Sequence, residues 1–294
     1  MERVMRDRLA YLIYVVPALI LYITFYVAPL FSSLRYSVTS WNGINEARFN
    51  GIENFIAAFQ DEKFLIALTN NIVFVLFSVI IQIPIIVLVA IVISGVRHIK
   101  DFYKTTVFMP SVLSTAVIGV IWTFIYNPDI GLLNELLKLV GLESWTRGWL
   151  GDENFAFLAI LVTNSWQWIG FYVVLVLSAI FAISKEMQEA GEIDGATGWL
   201  KARYLTIPLI RPVIMVTMLL SITGAMKALD IVQIMTAGAP FGSSEVMATY
   251  MYKQAYSMSK FGYANAISII IFLFTSLLTI IFHLVTRRSE EDQY

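Results

Sequence analysis

Six stretches of the chain run apolar with few interruptions, near Leu9–Phe31, Ile72–Ser94, Val107–Tyr126, Phe155–Ile183, Val213–Met235 and Ala264–Thr286. Each is long enough to cross about 30 Å of hydrocarbon, which takes roughly 20 residues of helix. The pattern predicts an all-α membrane protein with six spans and a single membrane domain over residues 1–294. Three of the polar connections are long and carry helical patterns of their own. Asn54–Gln60 precedes the acidic turn Asp61-Glu62, Leu132–Val140 is amphipathic at i, i+4 and stops at Gly141, and Val246–Tyr256 is the third. Short helices of this kind lie at the membrane surface, receive a partner, or cap the bundle. The pattern leaves these placements open.

Composition agrees with the spans. The chain is 58% hydrophobic and 14% charged, with a mean hydropathy of +0.74, whereas soluble domains are nearer half apolar and a quarter charged. Lys and Arg then set an orientation. With the N-terminus inside, the interior segments 1–8, 95–106, 184–212 and 287–294 hold 12 of them in 57 residues, against 7 in 96 for the exterior segments. This asymmetry puts both termini in the cytoplasm. Arg3, Arg6 and Arg8 precede a run too long for a signal sequence, containing Pro17 and Pro29, so an uncleaved first helix is expected.

Several chemistries are excluded by what is missing. There is no cysteine and no P-loop pattern, so neither thiol chemistry nor ATP binding through such a loop is expected of this chain. His98 and His283 are the only histidines and stand far apart, which gives no metal site. No nucleophile–base constellation marks an enzyme, and no Asp/Glu/His series marks a proton relay. No nucleic-acid partner is expected.

The segment 184–212 carries the sharpest signal. Ser184 is placed to cap a short helix through Gly191, Gly195 to supply a turn, and Thr197 to cap a second helix through Tyr204. Pro208 and Pro212 bracket the start of the fifth span. Within it, Glu189-Ala190-Gly191, three residues, Gly195, nine residues, then Leu205-Thr206-Ile207-Pro208 resembles the coupling loop of permease subunits in binding-protein-dependent ABC importers. Gly191 stands where that pattern has a second Ala, and Leu and Ile exchange at 205 and 207. The resemblance extends along the chain through Ser33-Leu34-Arg35, Trp41-Asn42-Gly43, Phe49–Phe55, Phe108-Met109-Pro110, Trp122, Gly131–Asn134, Asp230 and Thr236–Pro240. That shared order is similar to the carbohydrate-uptake branch in its maltose-type first-permease form. Second permeases of such pairs usually carry a further Gly-rich tail, and the first-permease form, expected here, does not.

The resemblance implies an ABC importer permease of a bacterial inner membrane, multi-pass, with Glu189, Ala190, Gly191, Asp194 and Gly195 engaging a separate ATPase. ATP and Mg would belong to that ATPase, and this chain would bind no cofactor. The implied partners are a related but non-identical second permease, two ATPase subunits, an extracytoplasmic solute-binding protein, and membrane lipid.

Polar residues inside the spans are the remaining signal. Lys227 and Asp230 fall within one predicted span, three apart on one helical face; they either border a solute path or form a structural ion pair. In the fourth span Asn164, Trp168 and Tyr172 recur every four residues beside Gln167. Amides suit sugar hydroxyls and rings suit sugar C–H faces, although such residues also join helices to one another. Ser111, Ser114, Thr115 and Trp122 in the third span and Asn71, Ser78 and Gln82 in the second are further candidates. The expected solute is a carbohydrate, in the first instance an oligosaccharide. A glycerol-phosphate or polyol importer of the same architecture, or a secondary transporter, is the alternative.

Overall fold

The computed structural model describes residues 8–96 and 99–291. Arg3, Arg6, Arg97, His98 and the end of the polar tail lie outside the described residues. Among the described residues the chain is helical almost throughout, with one two-stranded antiparallel ladder pairing Thr39–Ser40 with Arg48–Phe49. Five helices are long and apolar enough to cross a membrane among the described residues: Leu12–Ser37, Glu62–Gly95, Ala156–Phe181, Gly198–Met226 and Phe261–Leu284. The bent pair Asp101–Val112 and Thr115–Ile125 passes the same test when taken together, which gives six if the pair counts as one span.

Three spans solve the same local problem in the same way. Pro29, Pro84 and Pro208 each sit inside a long helix, where proline removes a ladder bond and its ring presses on the carbonyl four residues back. Each is preceded by one π-helical turn, Ile23–Val27, Ser78–Gln82 and Ala202–Thr206. The residue just before each proline then bonds five back, Ala28 to Ile23, Ile83 to Ser78 and Ile207 to Ala202. The wider turn moves the carbonyl away from the ring, and the helix continues. Pro208 is therefore not the start of the fifth span: that helix begins ten residues earlier, at Gly198.

Two predicted spans are broken. The third bends by 97° at Leu113-Ser114, where Leu113 turns extended and the Ser114 hydroxyl accepts from Val117 N to start the next helix. The fifth stops at Met226, and Asp230–Met235 is a separate short helix. Lys227 and Asp230 are accordingly not on one helical face; they stand on either side of a break.

The chain divides into two compact units. In the first, residues 1–61 with 251–273, Trp41 stacks on Tyr36 with ring centroids 4.2 Å apart. Its carbonyl accepts from Gly262 N at 2.9 Å, and Asn54 ties the strand to the preceding helix by donating to Ser37 O and Thr39 O.

The second unit, residues 62–250 with 274–294, holds the two apolar cores. One gathers Phe74, Ile118, Ile160, Ala225, Ile231 and Val232; the other gathers Ile86, Ala90, Val173, Val176, Leu177 and Ile210. Met247 and Tyr250 of the third predicted short helix are buried, so its first turn packs inward. Small residues set the closest approaches. Gly170 lets the fourth span lie on the Val107 backbone, and Gly119 lets Thr115–Ile125 receive Ile234 of the short helix after the fifth break.

Candidate functional site

The two breaks come together on a cavity of about 220 Å³ within the second unit. The fourth span contributes Asn164, Trp168 and Tyr172, one per turn. The second span adds Ser78 and Gln82, the third adds Thr115 from the turn after its break, and the fifth adds Ser221 and Gly224. The unwound stretch Lys227–Asp230 closes the lining.

Polar groups here are partly engaged and partly free. Ser221 donates to Gln82 Oε1 at 3.4 Å. The Asn164 side chain has no hydrogen-bond partner among the described residues. Lys227 and Asp230 are exposed and form no ion pair with each other. The Trp168 indole is half-buried and stands edge to face with Phe171, which leaves part of its surface toward the cavity. Free amide and hydroxyl groups beside a half-buried aromatic plate can hold a polyhydroxylated solute, with hydrogen bonds to its hydroxyls and the ring against its C–H faces.

Gln167 has a different place. It is 1% exposed, and its Nε2 donates to Leu113 O at 3.3 Å and to Thr115 Oγ1 at 3.2 Å. It therefore fastens the break of the third span to the fourth and does not line the cavity. Asn71 does similar work one layer away, donating to Ala225 O at 3.2 Å and accepting from Met247 N at 2.8 Å. Five of the six path candidates thus meet at one cavity. Ser221, Gly224, Ala228 and Leu229 were not anticipated; Gly224, three residues before Lys227, was the available sign that the helix ends there.

The second feature is the elbow 184–206. Ser184 caps the helix Lys185–Ile193 by accepting from Met187 N. That helix ends in a paired C-terminal closure: Ala196 N donates to Gly191 O at 2.8 Å and Gly195 N to Glu192 O at 3.1 Å. Gly195 has the left-handed φ of +83° that this closure needs. Thr197 precedes the second helix but makes no side-chain cap. Lys201 binds back to Glu192 at 2.9 Å and to Gln188 at 3.4 Å, holding the two arms together. The Lys201 ammonium, by hydrogen bond and charge, keeps the Glu192 carboxyl below its usual range.

Glu189, Ala190, Asp194 and Gly195 are exposed on the elbow. Gly191 is half-buried and turned inward, where an added Cβ would meet Leu205 Cδ2 at 2.9 Å. Its small size serves the approach of the elbow's own second arm. Ile193, Trp199, Leu200 and Tyr204 are left exposed around it, an apolar fringe that a solvated loop would not carry.

A helical membrane bundle with broken spans around a polar cavity, and a braced elbow outside it, defines a permease of the solute-transport class. Residues 55–291 match binding-protein-dependent transport system inner membrane components, and the chain belongs to that family. It is an inner-membrane, transport-type chain. Among relatives, it is 34% identical over 271 residues to the probable ABC transporter permease protein YurN of Bacillus subtilis (strain 168), covering 91% of this chain and 92% of that one. It is 31% identical over 281 residues to the diacetylchitobiose uptake system permease protein NgcF of Streptomyces coelicolor (strain ATCC BAA-471 / A3(2) / M145), covering 92% and 80%. The fold is that of a chain in the bacterial alginate ABC transporter solved with an alginate pentasaccharide-bound periplasmic protein, at a TM-score of 0.84 and 22% identity over 98% of this chain and 96% of that one.

Proposed function

We propose that the chain forms one side of the path by which an ATP-driven importer carries an oligosaccharide across a bacterial inner membrane. The observation that carries this reading is the cavity between the two broken spans, where Asn164, Trp168 and Tyr172 face Ser78, Gln82 and Ser221. The name of the diacetylchitobiose relative and the sugar-loaded periplasmic protein bound to a transporter of the same fold support it. The solute would arrive from an extracytoplasmic binding protein. Two ATPase subunits would hold the ATP and Mg, and a related second permease would complete the path.

In this reading Glu189, Ala190, Asp194 and Gly195 meet the ATPase on the cytoplasmic side, both termini lie on that side, and 1–294 act as one permease domain. Closure of the ATPase pair moves the elbow as a rigid lever, and the bundle rocks around the cavity. The Ser184 cap, the Gly195 closure and the Lys201–Glu192 pair make the lever stiff.

The test is uptake of labelled maltotriose and diacetylchitobiose by the assembled importer in proteoliposomes. Trp168→Ala should reduce transport while leaving basal ATP hydrolysis intact, and Glu189→Arg should uncouple hydrolysis from transport. Full uptake in both variants would remove the reading. Lys227, unpaired in the cavity, favours a phosphate-bearing solute such as glycerol phosphate as the second reading, and Asp230 beside it opposes that. Uptake without ATPase subunits would point instead to a secondary transporter, which calls for coupling charges or for paired broken spans in the two halves.

A further inference from the structure

We propose that the short helix Leu132–Leu139 is an in-plane membrane anchor, with one face inserted among lipid acyl chains at the headgroup boundary. The helix has three distinct faces. Leu133, Asn134 and Leu137 turn toward the bundle, and Asn134 is buried. Glu135 and Lys138 pair with each other at 2.8 Å on a half-exposed polar side. The third face carries Leu132, Leu136, Leu139 and Val140, at i, i+4, i+7 and i+8, and these are 57%, 49%, 81% and 68% exposed.

This face is presented rigidly. Asn134 Nδ2 donates to Pro128 O at 3.1 Å and Arg147 O at 2.9 Å, and Asn134 Oδ1 accepts from Trp149 Nε1 at 2.8 Å. The Arg147 guanidinium lies over the Phe155 ring, 4.0 Å from its centroid. The helix cannot roll to hide its leucines without breaking this set.

Position identifies the occupant. The helix lies in the connection between Thr115–Ile125 and Ala156–Phe181, two apolar helices, and packs against the first of them. The preceding helix also leaves Val117, Val120, Ile121 and Phe124 exposed, at helical spacing on one side, and Trp145 after the short helix is 58% exposed. Exposed tryptophan beside apolar helices is a usual mark of the membrane–water boundary. An apolar stripe above a charged side is the pattern of a helix lying in that boundary. The stripe offers on the order of 400 Å², about half of what one partner contributes to a stable protein interface, which is about 800 Å². It is too small to hold a protein alone, and it suits lipid.

The chain has no cysteine, so single labels can be introduced without a background. Nitroxides at Leu132→Cys, Glu135→Cys, Leu136→Cys, Lys138→Cys and Leu139→Cys would be read in the assembled importer in phosphatidylethanolamine–phosphatidylglycerol nanodiscs. All five are surface positions, and size-exclusion profiles check that each variant assembles. The ratio of collision rates with oxygen to those with a nickel chelate should be several-fold higher at 132, 136 and 139 than at 135 and 138, repeating with the helical period. A uniformly low ratio, meaning all five sites stand in water, would overturn the proposal. So would shielding of 132, 136 and 139 from both reagents, the signature of a protein partner over the stripe.

Discussion

Gly170→Ala tests whether the break in the third span is held by direct backbone contact with the fourth. A Cβ at Gly170 would fall on the Val107 carbonyl, 2.6 Å from its carbon, and would lie 2.9 Å from Phe108 Cα. Carbon–carbon contacts settle near 3.5–4.0 Å, so the helix Lys100–Val112 must retreat by about 1 Å. Neither atom belongs to a side chain that can rotate aside. Overpacking of this kind costs about 1–3 kcal/mol, and at roughly 2–4 °C per kcal/mol the variant should melt several degrees lower. The retreat also pulls Leu113 away from Gln167, one turn along the same contact, and loosens the cavity wall at Thr115. Thermal unfolding of the purified protein in detergent reads the first effect, and uptake in proteoliposomes reads the second. Gly95→Ala is the control, since a Cβ there meets nothing within 4 Å. Equal melting of Gly170→Ala and wild type would show that the two helices are not in backbone contact, and the account of the break would be withdrawn.

Gln167→Leu removes both donations to the break and leaves Leu113 O without that partner, at a cost of about 1–3 kcal/mol. Its thermal shift should add to that of Gly170→Ala by less than the sum, because the two act on one contact. On the elbow, a carboxyl held below its unfolded value contributes stability that is complete above that value and lost as pH falls through the folded one. Protection of amides 185–196 from hydrogen exchange, corrected for intrinsic rates, should therefore decline as pH drops below the ordinary glutamate value of 4.5. Glu192→Gln should flatten that decline only in part. Glu186, lowered by its own backbone N–H and then by the Ser184 hydroxyl, titrates in the same direction. An unchanged profile in Glu192→Gln would mean the Lys201 pair does not brace the elbow.

What could be read from the sequence was whatever depends on neighbours along the chain. Hydropathy predicted long apolar helices, but Ile72 was given as a start where the second helix begins at Glu62, and Val213–Met235 as a span where the helix runs Gly198–Met226. Ser184 and Gly195 were legible because a cap and a left-handed turn are local chemistry. The four-residue repeat of Asn164, Trp168 and Tyr172 was legible because a helix face is periodic. The breaks were not. Hydropathy sums across Leu113-Ser114 and across Lys227–Leu229 without interruption, and proline does not mark them. Pro29, Pro84 and Pro208 sit in helices that continue through a π turn, while Pro110 ends one turn short of a 97° bend. The difference at Pro110 is supplied from afar, by Gln167 on another span taking the carbonyl that the break exposes. The same distance hid the role of Gln167, which in the sequence sits beside Trp168 and in the fold turns away from the cavity.

The break in the fifth span also explains how two opposite charges can share a cavity without joining. Lys227 caps the C-terminal end of the helix Ile207–Met226, and Asp230 opens the helix Asp230–Met235. Unbonded carbonyls at a helix end favour a cation and unbonded N–H groups at a helix start favour an anion, each by about 0.3–1 kcal/mol where exposed. Each side chain is therefore matched to the helix end it stands on, and neither needs the other. Exchanging them, as Lys227→Asp with Asp230→Lys, keeps the net charge and the spacing but sets each charge against the wrong end. An ion pair would survive the exchange. Helix-end matching would not: the loss of two favourable terms and the gain of two unfavourable ones come to about 1–4 kcal/mol. Thermal unfolding should thus place the exchanged protein below the doubly neutral Lys227→Gln, Asp230→Asn protein. If the exchanged protein melts with wild type and above the neutral one, the two residues are coupled to each other, and the cavity holds a salt bridge instead of two charges left free for a solute.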